Sequence, residues 1–436
     1  MYKLYSWEHS YFSGKVRAYL RFKQSQGDLG QGFEDILATP ELIAGRLTPR
    51  SGSGAVPQLE TPSGDWIQDS SSIIDHCEAA HPGLALIPDL EMRPRQRLAS
   101  YLIELLADEW TVVPAFWQRW FFSENGREPS HRTFNEQQWG AVMNPDGRGP
   151  ERQAAGAGFF EAAFGISDTR ENPKGVYAGL VHLGCDDRTE RAWQASQHHL
   201  LECLETHFAE HDYLLGGRPS LGDYGLLGPL YAHLYRDAVP GFYLRTHFPL
   251  VTEWVERTNG ESALNARQYG QKLYGLGEAG ELVPRVATSD GGDWLPGDAI
   301  PETLLPILAI FFDEMWPTLR TSVETLARFL ESDDHAESGE VPGKTFIATP
   351  GFIEHQTGKG GLTHPFSIGG IESRRMVVPY QAWMLQRLQA ANSPDQGALA
   401  EFLAPFEQGQ EVLSPAKSLA DWRIQKEGAL LFARRA

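Results

Sequence analysis

Over the first eighty residues the apolar positions change period in an ordered way. Residues 2–6 alternate as a strand does, whereas Val16, Tyr19 and Leu20 within Ser13–Phe22 share one helical face. A polar stretch follows, then a strand around Phe33–Leu37 and a short helix opened by Thr39-Pro40, since proline suits the first helical position. Arg50–Gly54 is a flexible loop. Residues 56–60 and 65–68 pair across the turn Pro62-Ser63-Gly64-Asp65, and a helix runs from about Ser70 to Ala80, stopping before Pro82. The predicted order is β-α-β-α-β-β-α.

Leu84–Asp89 has the make-up of a linker. From Arg93 a long helix places Leu98, Tyr101, Leu102, Leu105 and Leu106 on one face. A Gly- and charge-rich stretch, about 123–190, interrupts the helical pattern, which resumes at Trp193–His207, Leu221–Tyr235 and Pro249–Thr258. The weakly patterned, Gly-rich residues 261–290 mark a boundary. Beyond it Leu304, Leu308, Phe311, Met315, Leu319, Val323, Leu326 and Leu330 recur at helical steps, with a kink expected at Pro317. The acidic run Glu331–Glu340 ends that helix. A Gly- and Thr-rich loop (349–370) then leads to a helix over roughly Pro379–Ala391.

Composition narrows the class. A chain of 436 residues with 41% hydrophobic and 22% charged side chains has the make-up of a soluble globular protein of two or three domains. Its net charge of -19 argues against nucleic acid or an anionic membrane as the main partner. Cys77, Cys185 and Cys203 show no metal-ligand spacing, so a disulfide framework is not expected and a reducing, cytoplasmic setting is. The chain opens on a strand-like pattern, so no export signal is expected, and its longest apolar stretch (Leu304–Phe312) is too short to span a bilayer.

The candidate chemistry lies where the first strand turns into the first helix. A thiol with a pKa of about 8.5 is mostly protonated at neutral pH, and only its thiolate is nucleophilic. A donating Ser10 hydroxyl beside a positive helix end favours the ionised form. Ser13 is the alternative hydroxyl and the expected helix N-cap. Tyr5 and Tyr11 bring phenols to the same place, Tyr5 more as packing, and His9 is expected at the surface. Val56-Pro57 before a strand offers main-chain hydrogen bonds to an extended peptide. Asp69 and Ser70 at a helix start suit the ammonium and carboxylate of an amino-acid end, with Gln68 adding a hydrogen bond. Arg50 is a candidate for a second carboxylate, ahead of Arg46. Together these outline a site for the thiol tripeptide glutathione. The aromatic run Trp110, Phe116, Trp117, Trp120, Phe121 and Phe122, which Pro114 is expected to bend, is either core or the wall of an apolar pocket. Tyr11, Trp117 and Trp120 are its candidate lining residues. The stretch His355–His364 lacks the partners a metal needs, and no metal is expected.

The segments Leu4-Tyr5, Ser10-Tyr11-Phe12 and Lys15-Val16-Arg17 resemble the serine-type first strand and helix of cytosolic glutathione transferases of the plant and zeta-like classes. Val56-Pro57 is similar to that family's cis-proline segment, and Asp69-Ser70 to its acidic-Ser pair. Leu214-Leu215-Gly216-Gly217 followed by Ser220-Leu221-Gly222-Asp223 resembles its buried helix-capping motif. The resemblance covers about residues 1–260. It implies an α/β thioredoxin-like glutathione-binding domain (1–83) and an all-α substrate domain (90–260) with an insertion at about 123–190. An additional, mostly helical C-terminal region (261–436) has no counterpart in it. The implied activity is a transferase that uses glutathione as co-substrate against an apolar electrophile, with lyase, dehalogenase and isomerase variants open. A homodimer is also implied. A non-catalytic binding or assembly module of the same fold is the alternative.

Overall fold

The computed structural model describes residues 1–123, 127–159, 180–260, 274–284, 292–332, 339–341, 362–392, 396–414 and 419–436. The N-terminal domain has the expected element order: β1 (Tyr2–Ser6), α1 (Tyr11–Ser25), β2 (Phe33–Leu37), a helical segment over 40–51, β3 (Gln58–Glu60), β4 (Trp66–Gln68) and α2 (Ser70–Ala80). The strands form one sheet in the order β2-β1-β3-β4, with β1 parallel to β2 and the remaining pairs antiparallel. Val16, Tyr19 and Leu20 of α1 are buried together with Leu4, Leu59, Ile73 and Ile74, so α1 and α2 share the core of this domain.

The helical domain follows: α3 (Pro94–Leu106), α4 (Val112–Ser123), α5 (Pro129–Met143), α6 (Pro150–Phe159), α7 (Glu190–Glu210), α8 (Leu221–Pro229), α9 (Ala238–His247) and α10 (Pro249–Asn259). The stretch expected to interrupt the helices therefore contains α5 and α6. They cross at glycines: a Cβ on Gly140 would lie 1.8 Å from the Arg152 carbonyl oxygen, and one on Gly156 equally close to that of Glu136. Small residues that admit a close crossing leave little apolar period to read, which is why this hairpin escaped the pattern.

The C-terminal region holds the short pair β5 (Tyr274–Leu276) and β6 (Leu282–Pro284), then α11 (Leu305–Ile310) and α12 (Trp316–Leu330). It continues with β7 (Glu340–Val341), β8 (Thr363–Ile368), β9 (Ile371–Met376), α13 (Pro379–Ala391), α14 (Gln396–Leu403), β10 (Trp422–Glu427) and β11 (Leu430–Arg435). The end of the expected 349–370 loop is the first strand of a hairpin. Gly369 (φ 55°) and Gly370 (φ 75°) form the two-residue turn that joins β8 to β9, a conformation that strongly favours glycine. Gly358-Lys359-Gly360-Gly361, and His355 with it, lie outside the described residues.

Three prolines inside helical stretches share one solution. π turns at Ile43–Leu47, Ala107–Thr111 and Phe311–Met315 end just ahead of Pro49, Pro114 and Pro317. A proline ring clashes with the carbonyl four residues earlier and brings no N–H. In each case that carbonyl lies within the π turn, whose wider winding carries the helix past the proline. Among the described residues no helix is long and apolar enough to cross a membrane, and no cluster of three or more His, Cys, Asp or Glu side chains is placed to hold a metal.

Candidate functional site

The sheet register gathers the candidate residues at one edge. Tyr5 pairs with Gln58, and Gln58 with Gln68, so the end of β1, the start of β3 and the end of β4 lie side by side. From that edge open the N-termini of α1, at Ser10, and of α2, at Asp69-Ser70. The Val56–Pro57 bond between them is cis.

Ser10 is the N-cap of α1: its Oγ accepts the Ser13 N–H at 3.3 Å, and its own N–H donates to the Trp7 carbonyl at 3.2 Å. Its hydroxyl proton has no acceptor among the described residues. The expectation that Ser13 caps this helix is corrected, because Ser13 is buried in the first turn and its Oγ accepts the Trp7 N–H. His9 is likewise not a surface residue. It is 3% exposed, stacked on Trp7 and edge-on to Trp139 at 4.5 Å. Three side chains hold this turn. Arg17 donates to Ser6 Oγ at 2.7 Å and pairs with Glu8 at 2.8 Å, while Arg119 of α4 donates to the His9 carbonyl at 2.9 Å.

At the other helix start, Asp69 has φ 96°, in the left-handed region, and its Oδ1 accepts the N–H groups of Ser71 (3.0 Å) and Ser72 (3.1 Å). Its Oδ2 accepts the hydroxyl of Tyr380, from the first turn of α13, at 2.5 Å. Ser70 is buried, and Gln68 Oε1 is buried without a donor among the described residues. Arg50 is exposed at the end of the 48–51 helical turn. Arg46 pairs with Glu60 at 2.7 Å and lies over the Tyr5 and Trp66 rings.

Tyr11, Trp117 and Trp120 are all buried. The Tyr11 hydroxyl donates to the Ala107 carbonyl at 2.5 Å and meets Thr111 Oγ1, so this phenol is turned into the helical domain. The Tyr5 hydroxyl donates to Glu60 at 3.2 Å.

A buried ionic chain underlies both helix starts. Lys15 Nζ contacts Glu104 (2.6 Å), Asp108 (2.7 Å) and Ser71 Oγ (3.1 Å). Arg387 of α13 pairs with Glu104 at 2.5 Å and forks onto Asp75 at 2.6 Å. Burial works to raise the Glu104 carboxyl, but Arg387 and Lys15 outweigh it and hold it at about 2. Sequence reading found the α13 helix yet missed Tyr380 and Arg387 as neighbours of the site. No local pattern signals contacts made some three hundred residues away.

Buried histidines give this core a pH dependence. His9 and His233 sit well below the ordinary imidazole value, through burial first and Arg119 next. His364 falls to about 3 through burial and then Arg375. Each takes up a proton on unfolding once the pH is below about 6.5, so stability falls as pH drops through that window. Asp223, which burial pushes up to about 6, opposes this with one proton. The thermal midpoint is therefore expected to be lower at about pH 5 than at about pH 7. A differential scan showing equal midpoints would contradict the assignment of neutral buried imidazoles.

Comparison with known proteins agrees with this architecture. A family model described as glutathione S-transferase, N-terminal domain, matches residues 4–85, and one described as glutathione S-transferase, C-terminal domain, matches residues 186–257. No curated protein matches the chain. Among solved structures, a beta-etherase from Sphingobium sp. strain SYK-6 is 20% identical, with 61% of this chain and 97% of that one covered and a TM-score of 0.39. A glutathione transferase from Phanerochaete chrysosporium is 11% identical over 60% and 97%, with a TM-score of 0.38. A glutathione S-transferase from Methylobacterium radiotolerans, in complex with glutathione sulfonate, is 20% identical over 61% and 91%, with a TM-score of 0.33. These likenesses are too low to add to the argument. The two domain models, matched in chain order to the N-terminal and helical domains, place the chain in the glutathione S-transferase superfamily.

Proposed function

We propose that the protein binds glutathione along the sheet edge and activates its thiol for attack on an electrophilic small molecule. The carrying observation is Ser10: a helix N-cap whose hydroxyl proton is uncommitted, on the same edge as the cis Val56–Pro57 step and the Asp69-Ser70 pair. In this reading the thiol gives up its proton to water and Ser10 donates a hydrogen bond to the thiolate. The sulfur lone pair then forms a bond to the electrophilic carbon, which expels a leaving group or takes up a proton. Val56 and Pro57 bind the cysteinyl main chain, Gln68, Asp69 and Ser70 the γ-glutamyl end, and Arg50 the glycyl carboxylate. The electrophile lies against the aromatic part of α4, with Tyr11, Trp117 and Trp120 packed in the wall behind it. Residues 1–83 are then the glutathione domain and 90–260 the substrate domain, with 261–436 covering the site. A cytoplasmic homodimer completes the proposal.

The Tyr380 hydroxyl on Asp69 favours a second reading, a glutathione-binding module without turnover. Calorimetric titration of glutathione, ultraviolet absorbance of the thiolate and turnover of a model electrophile separate the two. Ser10→Ala is expected to keep binding, lose the thiolate signal and slow turnover about 10- to 100-fold, the worth of one hydrogen bond to a charge. Binding by the wild type without turnover selects the second reading, and no binding removes both.

A further inference from the structure

The C-terminal region closes over the γ-glutamyl end of the proposed site. Besides Tyr380 and Arg387, the Ala429 N–H in the β10–β11 turn donates to the Ser51 carbonyl at 3.0 Å. Lys426 of β10 donates to the Gln68 carbonyl at 2.8 Å and to the Gly428 carbonyl at 2.6 Å. An ammonium carries three N–H donors. Two of those of Lys426 are matched, and the third has no acceptor among the described residues. Burial lowers the Lys426 pKa while the nearby Asp69 charge acts the other way, so the ammonium is partly withdrawn from water close to Asp69.

Counting donors and acceptors shows what this corner lacks. An ionised carboxylate offers about four acceptor positions. Asp69 uses Oδ1 for Ser71 and Ser72 and one position of Oδ2 for Tyr380, which leaves room for one further donor. Beside it the Ser70 N–H takes no acceptor among the described residues, because the cap serves Ser71 and Ser72 instead. One spare acceptor next to two spare donors is the complement of an α-amino acid end: an ammonium for Asp69 and a carboxylate for Ser70 and Lys426.

We infer that Lys426 is a glutathione-binding residue whose third N–H receives the α-carboxylate of the γ-glutamyl group, making the β10–β11 hairpin part of the site. This rests on the proposed glutathione site and deepens it: the C-terminal region selects thiol peptides with a free amino-acid end.

The test is titration calorimetry with glutathione and with 4-aminobutyryl-cysteinyl-glycine, which lacks only that carboxylate. Wild type, Lys426→Met and Lys426→Gln are compared. Lys426→Met is expected to weaken glutathione binding about 10- to 100-fold while leaving the weaker binding of the analogue unchanged. Lys426→Gln, which keeps a donor for the Gln68 carbonyl, is expected to show the same selective loss and decides the matter if the methionine variant does not fold. Unchanged glutathione affinity overturns the inference. So does equal weakening of both ligands, which would mean that Lys426 only holds the hairpin in place. Failure of the wild type to bind either peptide would instead remove the glutathione site itself.

Discussion

Glu104→Ala is expected to cost about 3–5 kcal/mol, because it removes the carboxylate that two buried cations share, leaving Lys15 with Asp108 and Arg387 with Asp75 alone. Glu104 Oε1 accepts Lys15 and Ser71, and Oε2 accepts Arg387, with the side chain wholly excluded from water. The three partners come from α1, α2 and α13, so this one carboxylate joins the N-terminal domain, the helical domain and the C-terminal region. Denaturant titration of the variant should show a large fall in the midpoint. The double substitution Glu104→Leu with Arg387→Leu should recover part of it, since it removes a buried charge together with its partner. A loss below about 1 kcal/mol for Glu104→Ala, the range of surface pairs, would mean that water reaches these charges in solution.

Asp223→Ala is the second large effect. Asp223 Oδ2 accepts the Ser220 N–H at 2.8 Å and its hydroxyl at 2.9 Å, and Oδ1 accepts the Leu214 N–H at 3.0 Å and the Trp254 indole N–H at 3.1 Å. Alanine leaves two backbone donors, the Ser220 hydroxyl and one indole donor buried without this acceptor, each costing about 1–3 kcal/mol. Against a total stability of roughly 5–15 kcal/mol, that sum should abolish soluble expression at growth temperature. Asp223→Asn keeps one oxygen acceptor and should give folded protein with a reduced melting temperature. An alanine variant that melts within a few degrees of wild type would refute the capping account.

Much of the helical domain was legible because its apolar faces are periodic. The Leu98–Leu106 face is buried as read, and Ser220-x-x-Asp223 caps α8 as its spacing implies. What escaped had a physical reason in each case. α5 and α6 meet through Gly140 and Gly156, which carry no hydrophobic signal. The β8–β9 hairpin announces itself only through Gly369-Gly370, a turn that reads as loop unless the alternating His364, Phe366 and Ile368 are noticed. His9 reads as a surface residue because neighbours on an extended chain point in different directions, which turns it away from Ser10. Trp139, whose ring buries His9, stands on a helix that the pattern did not show.

The sequence by itself determined the N-terminal element order, the helix faces, the Ser220-x-x-Asp223 cap and the candidate set Ser10, Val56-Pro57 and Asp69-Ser70. These depend on short-range geometry: strand and helix periods, turn residues and orphaned backbone groups. Only the tertiary structure decided that Tyr380 meets Asp69, that Arg387 joins Glu104, and that Lys426 lies on the Gln68 carbonyl. Buried charges and hydroxyls find partners by proximity in space, and chain separation leaves no trace of that pairing in local pattern.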